Sequence, residues 1–273
     1  MTTRSSSSCS QPIESIACGQ GELHVKSIVS FLSAAAVSLV LPAASTMAMT
    51  VQPVVIDLKT SGRDMSQVIT VENTFASPLP VELTVQELRL TDTGVSPTGK
   101  DPGDLLVFPP QALIDPGQTQ TFRVQYVGDP ALAGSRHYYV TVAQLPVKLP
   151  EGQSAIQILY NFQVLASVAP AGVKPKLEVT SAEVGKDGAG KPVAVVTVGN
   201  ASAVHGYLSG SKLRIVEKDA AGKEQFRRTL SGPEIQQTIG FGLVGGNQTR
   251  KVTIPVELPL AVGTVEATIT PEG

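Results

Sequence analysis

The pattern that most constrains the fold of this chain is a series of short runs in which apolar and polar residues alternate. Side chains on a β-strand point to opposite faces in turn, so each run predicts a strand with one buried face. Turn-forming stretches rich in Gly, Pro, Asp and Asn separate the runs. Runs precede residue 170 at 50–58, 66–73, 79–89, 105–108, 119–126, 137–145 and 155–168. This succession of short strands predicts an immunoglobulin-like β-sandwich.

A second group of alternating runs follows a proline-containing connection. The segment VAPAGVKPK (168–176) places prolines on both sides of a glycine, which is typical of a semi-rigid linker. Beyond it, runs at 176–184, 192–200, 205–217, 224–230, 249–258 and 264–270 predict a second, smaller β-sandwich. No stretch shows sustained helical periodicity with capping residues, so little helix is expected. We therefore expect an all-β protein with two immunoglobulin-like β-sandwich domains in tandem, at 49–168 and 177–273, joined by a linker at 169–176.

The first 48 residues have the features of a cleavable export signal. Lys26 begins a positive segment, the apolar run SIVSFLSAAAVSLVL follows at 27–41, and small residues precede a predicted cleavage site after Ala48. An N-terminal membrane anchor is the alternative, although the apolar run is shorter than the ~20 residues that a spanning helix needs. Both cysteines, Cys9 and Cys18, lie in this leader. The exported chain is therefore expected to fold without disulfides.

The two predicted domains carry no recognisable catalytic or metal-binding motif. His137 and His205 fall in different domains, and no HExxH or CxxC spacing occurs. We interpret both histidines as partly exposed strand residues. Neither a catalytic residue nor a cofactor nor a metal is predicted, and a formal net charge of −2 without a basic cluster argues against nucleic-acid binding. A binding or scaffolding protein is favoured over an enzyme.

Three segments of the first predicted domain together resemble a known family. They are VFPPQALIDPGQTQTFRVQY (107–126), YYVTVAQLPV (138–147) and SAIQILYNFQVLASVAP (154–170). Their order and motifs are similar to the N-terminal domain of the PapD-like periplasmic pilus chaperones. The resemblance implies two sandwiches in a boomerang-like arrangement and a location in the periplasm. It also implies a chaperone that stabilises pilus or fimbrial subunits and delivers them to an outer-membrane usher.

In that family, the last strand of the first domain completes the fold of a subunit that lacks one strand, which is called donor-strand complementation. By resemblance, the donor strand is 155–165, and the side chains that fill the subunit groove are Ile156, Ile158, Tyr160, Phe162 and Val164. The family holds the C-terminal carboxylate of the subunit with two basic residues, whose positions fall near Val55 and Leu165 here. Because neither residue is basic, the linker residues Lys174 and Lys176 are the candidate substitutes.

Two further expectations concern partners. A secreted fibre subunit or adhesive structural module is the alternative function for a chain of this composition. A strand edge that is apolar and exposed in the free protein also predicts self-association.

Overall fold

The computed structural model describes residues 49–147 and 158–272, which form two β-sandwiches. The predicted leader at 1–48 and the donor-strand residue Ile156 lie outside the described residues. Within residues 49–147 and 158–272, no helix is long and apolar enough to cross a membrane.

The first sandwich contains ten strands and a short 3-10 helix at Arg63–Met65. Its strands are β1 (Met49–Gln52), β2 (Val55–Lys59), β3 (Ser66–Asn73), β4 (Leu79–Leu90), β5 (Val95–Pro97), β6 (Leu105–Phe108), β7 (Gln111–Ile114), β8 (Thr119–Tyr126), β9 (Arg136–Gln144) and β10 (Asn161–Ala169). One sheet has the order β1-β3-β8-β6, and the other has the order β2-β10-β9-β4-β5, with β7 also paired to β4.

The core of the first sandwich lies between these two sheets. Every second residue of β3, β8 and β9 points inward, as the alternating pattern predicts. Ile69, Phe122, Tyr138 and Val140 are each 0% exposed. The buried residues of this cluster all fall between Met49 and Val168.

The second sandwich contains eight strands, one α-helix and a 3-10 helix at Leu208–Gly210. Its elements are β11 (Leu177–Lys186), β12 (Pro192–Asn200), β13 (Gly206–Tyr207), β14 (Ser211–Lys218), β15 (Glu224–Leu230), α1 (Gly232–Ile239), β16 (Leu243–Val244), β17 (Thr249–Glu257) and β18 (Thr264–Pro271). The sheets have the orders β11-β12-β17 and β15-β14-β18, with a separate β13-β16 pair. Its buried cluster runs from Ala194 to Val265 and shares no residue with the first cluster.

The structure corrects the predicted strand at 50–58. Pro53 interrupts this run, so that β1 belongs to one sheet and β2 to the other. Proline has no backbone N–H and cannot donate to the ladder, which explains why pairing stops there. The predicted first strand is therefore two strands, one in each sheet of the sandwich.

Two further predictions were wrong in part. The run at 205–217 is divided into β13, the 3-10 helix and β14, and α1 was not predicted at all. Ser231 and Glu234 begin this helix as a capping box, with the Ser231 amide donating to the Glu234 carboxylate over 2.8 Å.

Candidate functional site

β10 lies between β9 and β2, and its two neighbours do not cover it equally. It pairs with β9 in antiparallel register from Asn161 to Val168. It pairs with β2 in parallel register only from Leu165 to Ala169. The first half of β10 is therefore paired on one side, and its other side is an open edge that no described strand covers.

The direction of the backbone groups shows which residues face this edge. The Tyr160 carbonyl accepts from the Gln144 amide on the β9 side, whereas the Leu165 amide donates to the Val54 carbonyl on the β2 side. Backbone groups alternate sides along a strand. Asn161 and Gln163, which share the parity of Leu165, therefore present their amide and carbonyl groups to the open edge.

The apolar face of β10 changes from fully buried to exposed along its length. Val164 is 1% exposed and belongs to the core of the first sandwich. Phe162 and Tyr160 are partly buried against that core, and the Tyr160 ring lies 5.9 Å from the Phe75 ring. Ile158 is 70% exposed. The apolar side chains of this face therefore extend from the core of the first sandwich into solvent, beside the open edge.

The structure modifies the predicted donor strand in two respects. Strand geometry begins at Asn161, so residues 158–160 are not part of β10. Val164 was expected to face a partner, but its side chain is enclosed by the core of its own sandwich and has no free surface. The difference arises because alternation identifies a face but not where along it the core ends.

The two positions at which basic residues were expected lie side by side. Leu165 pairs with Val55 across β10 and β2, and both are half-buried. Lys174 and Lys176 are exposed on the linker. Beside them, a cavity of about 350 Å³ is lined by the half-buried Lys59 among other residues, a cation that the sequence analysis did not consider.

Six polar side chains meet where the two sandwiches touch. They are Asp57, Ser135, His137 and Ser167 of the first sandwich and His205 and Tyr207 of the second. The rings of His137 and His205 lie 5.1 Å apart, and the two residues are only 4% and 7% exposed. The expectation that they are separate, partly exposed strand residues was wrong, because the fold brings β9 against the start of the second sandwich.

The hydrogen bonds of His205 can be assigned a direction. Its amide donates to Ser135 Oγ over 2.9 Å, so the Ser135 hydroxyl proton is available to His205 Nδ1 at 2.7 Å. His205 Nε2 then carries a proton and donates to Asp57 Oδ1 over 2.9 Å.

The remaining donors converge on the same carboxylate. The Tyr207 hydroxyl donates to Asp57 Oδ1 over 2.9 Å and accepts from Ser167, whose oxygen lies 3.3 Å away. Ser167 in turn accepts from His137 Nδ1 over 2.9 Å. Asp57 is therefore the acceptor at which both branches of the network end.

The charges of this cluster follow from its surroundings. Burial, together with the neighbouring His205, lowers the pKa of His137 to about 3. Burial acts to raise the pKa of Asp57, but the hydrogen bond from His205 lowers it overall, with help from Tyr207 and Lys59. Burial and the charge of Asp57 raise the pKa of Tyr207 well above its usual range. At neutral pH, His137 and Tyr207 are uncharged and Asp57 is ionised.

The geometry defines a two-sandwich binding protein with an open strand edge. In the described residues, no three His, Cys, Asp or Glu side chains converge on a metal site. Residues 48–174 match the sequence profile of the family described as pili and flagellar-assembly chaperone, PapD N-terminal domain. The match spans the first sandwich and less than half of the chain, and the family that it names is one of chaperones for pilus and flagellar assembly.

Several solved structures are similar over most of the chain. A chaperone–tip adhesin complex of CFA/I fimbriae biogenesis is 12% identical, with 83% of this chain and 93% of that chain covered and a TM-score of 0.48. The CsuC–CsuE chaperone–tip adhesion subunit complex of Acinetobacter baumannii is 12% identical, with 76% and 90% covered and a TM-score of 0.45. The E. coli chaperone DraB is 16% identical, with 77% and 86% covered and a TM-score of 0.44.

The comparison with curated protein sequences finds no significant match. The similarity to that family therefore rests on the profile match to the first sandwich.

Proposed function

We propose that this chain is a periplasmic chaperone that lends the first half of β10, and the residues before it, to an incomplete pilus or fimbrial subunit. The observation that carries the proposal is the gradient of exposure from Val164 to Ile158 on one apolar parity. Only a segment that leaves its own core beside an unpaired edge can offer both side chains and backbone to a neighbour. The similarity of the first sandwich to the PapD N-terminal domain supports a pilus subunit as that neighbour.

The backbone and the side chains have separate tasks in this proposal. Asn161 and Gln163 supply amides and carbonyls that would otherwise need water, and a subunit strand would pair with them. Ile156, Ile158, Tyr160 and Phe162 would fill the subunit groove. Full burial of one large aliphatic side chain contributes about 1.5–3 kcal/mol, so Ile158 is the strongest single contributor among the described residues.

Val164 has a different task from the one predicted for it. Because it is buried in the core of the first sandwich, it would hold the donor segment in place. The segment then behaves as a rigid edge whose far end is already ordered, which reduces the entropy lost on binding.

The subunit terminus would lie in the cleft beyond Leu165. Lys174 and Lys176 remain the proposed partners of its carboxylate, and Lys59 is added as a third candidate because it lines the neighbouring cavity. The carboxylate of Asp57 lies two residues from Lys59 on the same face of β2 and offsets part of its charge.

Delivery to an outer-membrane usher and export by the predicted signal complete the proposal, and both are supported by the family alone. In the free protein, the same open edge would favour association with a second copy of the chain. Size-exclusion chromatography over a range of concentrations measures that self-association, and a ladder of polymers would instead indicate a fibre subunit.

Subunit capture from periplasmic extracts tests the function. Ile158→Asn should abolish recovery of the co-expressed subunit without changing the melting temperature, because Ile158 is 70% exposed. Val262→Asn is the matched control, since Val262 is 91% exposed on the second sandwich and should leave capture intact. Capture that survives in Ile158→Asn contradicts the donor assignment.

The same assay tests the proposed carboxylate anchor. Lys174→Gln combined with Lys176→Gln should weaken capture, and Lys59→Gln forms a separate arm. If neither arm changes the amount of subunit recovered, these lysines do not hold its terminus.

A further inference from the structure

We propose that Asp57 is a positioning residue that fixes the second sandwich against the first. It is the common acceptor for His205 and Tyr207, which both belong to the second sandwich. The polar cluster described above is thus an interdomain latch, defined by Asp57, Ser135, His137, Ser167, His205 and Tyr207. We expect its effect to extend to a second contact between the sandwiches.

The latch is built from groups that cannot easily exchange partners. His205 is enclosed, and three of its polar groups are used: the amide with Ser135, Nδ1 with Ser135 and Nε2 with Asp57. Removal of the Asp57 carboxylate leaves the Nε2 proton of His205 and the hydroxyl proton of Tyr207 without their acceptor. Because His205 is only 7% exposed, the loss of the acceptor for its Nε2 proton destabilises the arrangement that buries it.

The backbones beside the latch approach too closely to slide. The Ser135 amide donates to the Ala203 carbonyl over 3.1 Å. A Cβ atom on Gly134 would lie only 2.9 Å from that carbonyl oxygen, so this position has room for glycine alone. At this point the interface admits one orientation of the two sandwiches.

A second contact between the sandwiches involves the turn between β4 and β5. The turn between β4 and β5 reaches the second sandwich, where the Lys251 amide donates to the Asp92 carbonyl over 2.8 Å. Lys251 lies on β17, an edge strand of its sheet, and shares no hydrogen bond with the latch residues. It therefore reports on the orientation of the sandwiches rather than on the latch itself.

The linker does not supply this constraint. Residues 171–176 are exposed along their whole length, and Gly172 has a positive φ of 79°. Contacts between the sandwiches must then determine their orientation, and the latch is the most connected of these contacts in the described chain.

Amide hydrogen exchange of the full exported chain tests the proposal. In Asp57→Ala, the Lys251 amide should exchange about tenfold faster than in the unaltered protein. Loosening of the latch lets the two sandwiches move apart, which also opens the contact between Lys251 and Asp92. Asp57→Asn, which keeps an acceptor oxygen, should restore most of the protection. Glu72→Ala is the matched control, since Glu72 is an exposed carboxylate on β3, and it should have no effect.

An unchanged Lys251 exchange rate in Asp57→Ala overturns the proposal, even if the Ser135 and His205 amides exchange faster. The Val196 amide in the core strand β12 reports global unfolding. If it also exchanges faster, Tyr207→Phe decides the question, because this variant removes one hydroxyl and keeps the ring. Lys251 must then exchange faster than in the unaltered protein while Val196 does not, and any other result overturns the proposal.

Discussion

His137 is uncharged at neutral pH because burial disfavours the charged form of its ring. It is 4% exposed, and burial lowers its pKa from 6.5 to about 3. In the unfolded chain it takes up a proton near pH 6.5, whereas in the folded chain it does not. Between these two pKa values the unfolded state binds more protons, so the free energy of unfolding falls as the pH falls.

We predict that His137→Asn flattens this pH dependence. The contribution of one such group is about 1.4 kcal/mol per pH unit, present in full above pH 6.5 and lost progressively towards pH 3. Asparagine keeps an N–H donor near the position of Nδ1, so the bond to Ser167 is retained. Urea unfolding at pH 7 and pH 4.5 measures the change, and an equally steep loss in the variant contradicts the assignment.

The interdomain contact of His137 and His205 could not be predicted from the sequence. Alternation showed correctly that each lies near a strand, but it carries no information about which residues of another domain will cover that strand. The two histidines are distant in the chain, and only the packing of the second sandwich brings their rings together. The polar cluster therefore depends on how the two sandwiches pack together, and the periodicity of the sequence does not describe that packing.

The open edge of β10 makes a prediction at the level of a single element. The Gln163 amide faces this edge, so Gln163→Pro removes a donor that no described strand uses. Proline is tolerated at an edge position whose N–H points to solvent. We expect the variant to fold and to lose subunit capture, because the added strand loses a ladder hydrogen bond and meets the proline ring.

A neighbouring proline supplies the control for that experiment. Phe162 faces β9 and pairs with Val142, so Phe162→Pro removes a hydrogen bond inside the sheet and should destabilise the first sandwich by about 1–3 kcal/mol. Circular dichroism melting separates the two outcomes. Equal destabilisation by both variants shows that the edge at Gln163 is not open.

Strands were predicted well where turn-forming residues bound the run. β3, β6, β8, β12 and β15 begin and end where the runs place them. β5 was missed because it lies in a stretch rich in Gly and Pro, and β7 was missed because its four residues directly follow two prolines. The capping box of α1 was legible at Ser231 and Glu234, but the helix is only eight residues long and its apolar positions do not sustain a repeat.

Equivalent asparagines link the two sandwiches at the level of the whole molecule. Asn73 donates to the Ser77 carbonyl over 2.9 Å, and Asn200 donates to the Val204 carbonyl over 2.7 Å. Each stands at the end of a strand and satisfies a backbone group of the following turn. The two strands end in the similar sequences VITVEN and AVVTVGN, and the structure gives the two asparagines the same role. This supports the proposed division into two modules with separate cores.

A chain limited to residues 49–170 should therefore fold without the second sandwich. Every buried residue of the first core cluster lies within it, as do β2 and β10, which close the sheet. Loss of the second sandwich exposes His137 and removes His205, so the pKa of His137 should rise from about 3 towards 6.5. Nuclear magnetic resonance titration of its ring measures the pKa, and thermal melting measures the fold. If the shortened chain melts cooperatively and the pKa of His137 stays near 3, the first sandwich alone buries this histidine. If the shortened chain shows no cooperative melt, the two sandwiches are one folding unit.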